Sequence, residues 1–166
     1  MTLHWASLLT NRQVVDALYT AVPPLDGVTV RSVHLDRAGP GLTLRLALPR
    51  FPDRPPAAWT EDDAYDRFQC QVQFGGVDAL EMRGWRSGVV ADVTLERDGV
   101  RRVRVGVVGE GMELRFGAAD DLRVGKLSAF RTGQDGERHS YLGKVDQHLY
   151  GHGVPQVWER RFHGRV

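Results

Sequence analysis

The sequence predicts an α+β fold that is mostly β: an N-terminal helix packed on a strongly bent antiparallel sheet of about eight strands. Three observations lead to this class. Apolar residues close to the N-terminus recur at a helical spacing, those after residue 27 mostly alternate with polar ones, and glycine-containing turns separate the alternating runs at short intervals. A sheet of this kind either forms a partly open barrel or divides into two layers.

A helix is predicted somewhere within residues 5–20. Apolar side chains in this range and up to Val22 form one stripe with the period of an α-helix. The pair Pro23-Pro24 ends the stripe, because proline has no amide donor and disfavours helix in the residue before it. Asn11 offers an alternative N-cap, which would start a shorter helix at that residue.

The segments at 28–35 and 42–48 are predicted to form an antiparallel hairpin. In the second segment four leucines alternate with less apolar residues, which gives the strand one apolar face. The alternation of the first segment changes phase near Arg31-Ser32. This change indicates either a β-bulge or a turn between two short strands.

Residues 68–74 predict a strand with one buried and one hydrated face, because apolar residues alternate with three glutamines. Residues 131–166 show no pattern of helix or strand. We therefore expect a domain at 1–130, followed by a C-terminal extension of uncertain structure at 131–166. Further strands of the domain are predicted near 80–85, 89–95, 103–107, 112–116 and, as one or two strands, 122–130.

Composition and charge exclude several classes of function. With 166 residues and a formal net charge of +1, we expect one soluble domain without the basic face that binding to nucleic acid or anionic membranes requires. The single cysteine, Cys70, excludes an internal disulfide, and the alternation around it places it in the core. No apolar run approaches the length of a membrane span and the N-terminus lacks the features of a signal peptide, so a cytoplasmic location is expected.

Sequence motifs for catalysis or metal binding are missing. His148 and His152 are four residues apart, as two metal ligands on a helix are, but no glutamate follows the first and Gly151 and Gly153 weaken a helix there. The sequence has neither a GxSxG elbow nor a glycine-rich phosphate loop. We therefore predict no catalytic residues, no metal and no cofactor.

The candidate binding surface is the connection at residues 49–66. Its four prolines exclude a central strand and indicate an ordered loop, where recognition is common. The alternative for the acidic residues of this loop is a charge run that faces solvent. The alternative for Trp59, as for the other three tryptophans, is a place in the core. The residues predicted to contact a partner are an acidic cluster and two aromatic anchors: Trp59, Glu61, Asp62, Asp63, Tyr65 and Asp66.

Four short motifs follow one another across about residues 3–130: WxxLL from Trp5, LDRxGPxLxLR from Leu35, FPDxPPxxW from Phe51, and Gly84-Trp85. This succession resembles the immunity protein 50 family of bacterial polymorphic toxin systems, and the third motif is its most specific part. The resemblance implies a cytoplasmic protein that binds the toxin domain encoded nearby and blocks its active site, without catalytic residues of its own.

The resemblance also implies structural rather than toxin-contacting roles for the motif residues, namely Gly39, Pro40, Phe51, Pro52, Pro55, Pro56, Trp59 and Trp85. Two other classes stay open. One is a small β-barrel ligand-binding protein or enzyme with an unrecognised site. The other is a structural subunit of a larger assembly that uses an exposed strand edge. The oligomeric state is not predicted.

Overall fold

Within the residues that the structure describes, the fold consists of nine strands, two short α-helices and two 3₁₀ turns. The computed structural model describes residues 2–61, 65–134, 136–155 and 161–162. The helices are α1 (Gln13–Asp16) and α2 (Lys144–Tyr150), and the 3₁₀ turns are Trp5–Leu8 and Ala57–Trp59. The strands in chain order are β1 (Val28–Asp36), β2 (Gly41–Leu48), β3 (Arg67–Phe74), β4 (Asp78–Arg83), β5 (Val89–Arg97), β6 (Arg102–Gly109), β7 (Met112–Ala119), β8 (Arg123–Gly133) and β9 (Gly136–Tyr141).

All nine strands belong to one antiparallel sheet in the order β4-β7-β6-β5-β1-β2-β3-β8-β9. The sheet is open, since β4 and β9 lie at its two ends. It nevertheless bends so far that Phe74 of β3 meets Phe116 of β7, with ring centroids 5.1 Å apart. The mostly β, antiparallel prediction is confirmed, but the sheet has nine strands rather than about eight and does not close.

The predicted β1–β2 hairpin is present, and the phase change in its first strand is a bulge. The pairing runs from Asp36 opposite Gly41 to Thr29 opposite Ala47, and its register shifts between Val30 and Ser32. A turn between two short strands is excluded, because β1 is continuous across the shift. The extra residue, Arg31, directs its side chain to β3, where it donates to Gln69 at 2.5 Å.

The predicted helix within 5–20 is not present as one element. After the first 3₁₀ turn the chain becomes extended at Leu9 (φ −73°, ψ 129°), and α1 then lasts four residues. The reason is a competing set of hydrogen bonds to the residue before β8. Leu122 donates its amide to the Leu8 carbonyl and accepts the Thr10 amide, both at 2.9 Å.

Asn11, the alternative N-cap, has a different role. Its side-chain amide donates to the Val124 carbonyl at 2.7 Å and its carbonyl oxygen accepts the Val124 amide at 3.1 Å. The side chain therefore pairs with a strand backbone instead of capping a helix. Periodicity alone does not reveal this competition, because the same apolar stripe is buried in either conformation.

One hydrophobic core lies between the sheet and the N-terminal segment. Trp5, Val15 and Leu18 contribute to it from the segment, and alternate strand residues contribute from the sheet. Cys70 is fully buried there, as predicted. Burial raises the pKa of its thiol to about 12, so the thiol is protonated and unreactive at neutral pH.

The last part of the chain contains regular structure that its sequence pattern does not predict. β8 extends to Gly133, β9 pairs with it, and α2 follows. This addition to the sheet changes the environment of β3, because Gln69, expected on a hydrated face, is only 1% exposed. The prediction of a hydrated face is therefore wrong at this residue.

Candidate functional site

The β2–β3 connection, which carries the acidic cluster, is tied to the N-terminal segment. Arg54 donates its amide to Leu18 O at 2.9 Å and its guanidinium to the carbonyls of Asp16 and Tyr19, each at 2.7 Å. The Tyr19 hydroxyl donates to Arg50 O at 2.5 Å. Burial raises the pKa of this hydroxyl, which keeps it a proton donor.

Asp53 adds a further tie to the same segment. Its carboxylate accepts the Thr20 amide at 3.0 Å and also the Thr20 hydroxyl. These hydrogen bonds hold the pKa of the exposed carboxyl below its usual value. Asp53 is thus occupied within the chain, although it belongs to the same connection as the acidic cluster.

Trp59 anchors the middle of the connection. Its side chain is 1% exposed and packs against Phe51 and Phe68, with ring centroids 6.2 and 6.0 Å away. The 3₁₀ turn that carries Trp59 continues into the acidic cluster, where the Glu61 amide donates to Ala57 O at 3.2 Å. Trp59 therefore fixes where the cluster begins, while its ring faces the interior.

The remaining predicted contact residues lie at the surface or outside the described residues. Glu61 and Asp66 are exposed, and Tyr65 is partly buried against the core. The Tyr65 hydroxyl accepts from Arg138 Nε at 3.4 Å, which links this loop to β9. Asp62 and Asp63 lie outside the described residues.

A polar group that the sequence does not predict lies where β1, β3, β8 and β9 meet, with three of its residues buried and two half-buried. We call it the Arg31 cluster: Arg31, Gln69, Ser128, Glu137 and His139. Glu137 accepts from Arg31 Nη2 with one carboxylate oxygen and from His139 Nε2 with the other. Because a carboxylate only accepts, Nε2 carries the ring proton and Nδ1 accepts the Ser128 hydroxyl at 2.8 Å.

The pKa values of this cluster follow from its burial and its charges. Burial lowers the pKa of His139, although the neighbouring Glu137 opposes the change. Burial works against ionisation of Glu137, but hydrogen bonds from Arg31 and His139 outweigh it and lower the pKa of Glu137. The favoured state is a neutral imidazole beside an ionised carboxylate.

A serine, a histidine and a carboxylate in contact resemble the parts of a nucleophilic centre. Here Ser128 and His139 both have 0% exposure, so a substrate has no route to the hydroxyl. The group instead satisfies polar atoms at the junction of β1, β3, β8 and β9. No sequence signal pointed to it, since Arg31 and Glu137 are 106 residues apart and meet only through the sheet.

Ligand and metal sites were also sought in the described part of the chain. A cleft of about 490 Å³ opens at the tip of the β8–β9 hairpin, lined by Arg131, Glu137, Arg138 and His152 among others. It is open to solvent, and Glu137 is the residue that it shares with the Arg31 cluster. Within the described ranges no three His, Cys, Asp or Glu residues are grouped as a metal site requires.

The tryptophans divide between the core and the surface. Trp5 and Trp59 are buried, which for Trp59 is the core alternative to the predicted partner contact, whereas Trp85, which follows β4, is 45% exposed. A place in the core is therefore excluded for Trp85. Trp158 lies outside the described residues. None of the helices in the described ranges is both long and apolar enough to cross a bilayer.

Fold and surface together describe a mostly β protein with an open sheet and an acidic loop held on a buried tryptophan. The family model described as Immunity protein 50 matches residues 11–124, which is more than half of the chain, and the chain belongs to this family. Membership suggests an immunity protein with a toxin partner and a non-enzymatic role. No curated protein and no solved structure matches the chain.

Proposed function

We propose that this chain is a cytoplasmic immunity protein that binds the toxin domain encoded beside it and covers the toxin's active site with the loop at residues 59–66. The family match supports the immunity role. The choice of surface is supported by one observation: the buried Trp59 holds the start of an acidic cluster whose described members Glu61 and Asp66 are exposed.

Rigidity favours such a surface. A loop that is already ordered loses little conformational entropy on binding, so more of the interaction energy appears as affinity. The bonds of Arg54 and Asp53 to the N-terminal segment and the packing of Trp59 hold the described residues 53–61 in place before any partner arrives. Trp59 therefore acts by positioning the loop, and Tyr65 and the acidic side chains make the contacts.

Charge complementarity defines the kind of toxin surface that fits. Toxins that act on nucleic acids need a basic cleft, and an acidic loop inserted there would replace the polyanionic substrate. Charge steering of this kind raises the association rate by a factor of about 10 to 1,000 at low salt. The toxin most compatible with this loop is accordingly a nuclease.

The test begins with co-purification of the chain with the product of the adjacent gene. The triple substitution Glu61→Ser, Asp62→Ser and Asp63→Ser is then compared with the unaltered chain by association kinetics at several salt concentrations. We expect at least a tenfold slower association at low salt and a flatter salt dependence, because steering charges act mainly on the association rate. Inhibition of the toxin should weaken in parallel.

A matched variant separates the loop from overall charge. Glu96→Ser, Glu110→Ser and Asp121→Ser together remove the same number of negative charges from exposed positions elsewhere. This control should retain the association rate almost unchanged. Equal effects of the two triple variants, or no effect of the loop variant, would show that another surface binds the toxin, while failure to co-purify any toxin would count against the immunity role itself.

A further inference from the structure

The two edge strands of the open sheet, β9 and β4, differ in whether other parts of the chain cover their outer backbone groups. At β9 the outer backbone groups are used within the chain: the His139 amide donates to His152 O at 2.9 Å, and the His152 ring donates to His139 O at 2.9 Å. Gln147 of α2 donates to Tyr141 O at 2.8 Å. The segment that follows β9 therefore seals this edge.

At the opposite end, no described segment covers the outer edge of β4. Among the described residues β4 pairs with β7 alone, and all six of its residues are exposed. Leu80 and Met82 are 40% and 42% exposed, and Trp85 extends the apolar surface beyond the strand. Proteins normally protect such an edge with lysine, proline or a covering segment, because its free amide and carbonyl groups invite another strand.

The regular part of this edge is short and well defined. The pairing of β4 with β7 is irregular between Asp78 and Glu81, where Ala79 has a φ of 49°. From Glu81 to Arg83 the register is regular, and Gly84 then turns the chain towards Gly111. A further strand would therefore align on residues 81–83.

The charges of this segment alternate with those of its neighbour. Glu81 lies opposite Arg115, and Arg83 lies opposite Glu113 on the same outer face. Met82 lies opposite Leu114 on the inner face. The edge thus presents a negative, an apolar and a positive side chain in succession, and opposite charges directly across a strand pair are favourable.

This order is complementary to itself. When two copies of this strand pair antiparallel about a two-fold axis, directly opposed residues must have their side chains on the same face of the sheet. The central residue of the paired segment therefore lies opposite the same residue of the other copy. Centring on Glu81 or Arg83 would oppose like charges. Centring on Met82 places Glu81 of each copy opposite Arg83 of the other, so the alternation of charge continues unbroken across both molecules.

We propose that β4 is a self-association edge: two copies of this chain join antiparallel through residues 81–83, centred on Met82, to form one continuous eighteen-stranded sheet. The two Met82 side chains meet on the inner face, and Leu80 and Trp85 flank them. The interface is small, so the dimer dissociates on dilution. It lies on a different element from the acidic loop and needs no toxin to form.

Charge reversal tests the register on the purified chain. E81R and R83E are each studied by sedimentation equilibrium over a range of protein concentrations. In either homodimer two favourable pairs become repulsive, so we expect the dissociation constant to rise about tenfold or more. When the two variants are mixed, one edge carries only positive and the other only negative charges, and heterodimers should form at least as tightly as the unaltered chain dimerises.

Two controls keep the result interpretable. E96R makes the same charge change on the exposed face of β5, away from either edge, and should leave the dissociation constant unchanged. Circular dichroism and thermal unfolding of each variant show whether the fold is kept. The proposal is overturned if the unaltered chain sediments as a monomer at all concentrations, or if a dimer forms that neither E81R nor R83E weakens. Failure of rescue on mixing folded variants would rule out the Met82-centred register.

Discussion

His139 is a histidine held neutral inside the protein. It stacks between Phe130 and Tyr141, with ring centroids 5.1 and 5.8 Å away, and both of its ring nitrogens are hydrogen-bonded. Burial lowers its pKa, and the cations Arg31 and Arg45 act in the same direction, while Glu137 opposes them. Protonation is therefore harder in the folded chain than in the unfolded chain.

This difference makes stability depend on pH. Below the ordinary histidine pKa of 6.5 the unfolded chain takes up a proton that folded His139 resists, so the free energy of unfolding falls as the pH drops from 6.5. The pKa of Glu137 is also lowered in the folded chain, so its ionisation likewise contributes to the free energy of unfolding. That contribution is lost only as the pH falls below 4.5, the ordinary pKa of the carboxyl group. We predict a loss of stability in two stages, measured by denaturant titration at a series of pH values.

The substitution His139→Phe isolates the first stage. It keeps an aromatic ring in the stack but removes the titrating group, so the stability loss between pH 6.5 and 4.5 should largely disappear. At pH 7.5 the variant should be about 1–3 kcal/mol less stable, because Ser128 and Glu137 lose a buried partner. His148→Gln, at an exposed position on α2, is the matched control for loss of a histidine. A pH profile of His139→Phe that parallels the unaltered chain would contradict the assignment.

At the scale of elements, the loop after β4 shows why one of its glycines is required. Gly84 and Gly88 both have a positive φ, of 69° and 78°. A Cβ at Gly88 would meet nothing within 4 Å, whereas a Cβ at Gly84 would overlap the carbonyl oxygen of Gly111. The Gly84-Trp85 motif therefore marks a close approach of two backbones.

We predict a clear difference between two alanine variants. Gly88→Ala should cost only the left-handed conformation, about 1–2 kcal/mol. Gly84→Ala should cost distinctly more, because the turn between β6 and β7 must also move away from the new methyl group. The free energies of unfolding from urea titrations give the comparison. Similar losses for both variants would mean that the backbone contact at Gly111 relaxes freely.

Elements whose pairing is local were predictable from the sequence. The leucines of β2 and the glycine turns define strands because their partners follow directly in the chain, as with Leu42 opposite Leu35. The prediction of one N-terminal helix is wrong because two residues more than a hundred positions away bind this segment: Leu122 binds its backbone, and Val124 binds the side chain of Asn11. The Arg31 cluster could not be predicted for the same reason, because its residues are far apart in the sequence and meet only through the sheet.

The structure of the acidic loop is predictable from the sequence only in part. Its prolines exclude a strand, and residues 49–61 form none in the structure, but whether Trp59 faces a partner or the core depends on Phe68, which the sequence places in a different element. For the open edge at β4, the sequence offers only the general alternative of an assembly subunit with an exposed strand edge. The alternating charges of β4 can be interpreted only when β7 is known to be its neighbour, because β7 supplies the oppositely charged residues across the strand pair.

On the scale of the whole molecule, the sheet consists of two groups of strands. One group is β4-β7-β6-β5 and the other is β1-β2-β3-β8-β9, and they are joined along the sheet by three residue pairs between β1 and β5. The family match ends at residue 124, at the start of β8. The strand and helix that follow therefore lie beyond the matched region, yet they complete the Arg31 cluster and seal one edge.

The burial of Cys70 gives the chain a built-in chemical reporter. Its thiol lies in β3, with β2 on one side and β8 on the other, and it is reactive only as a thiolate, which burial disfavours. A thiol reagent should therefore modify the native chain only as fast as the sheet opens, and the labelling rate should follow the free energy of unfolding across the variants described above. Rapid labelling without denaturant would reveal a local opening of β3. Because no other thiol competes, a single mass shift measures the opening of the molecule without any engineered label.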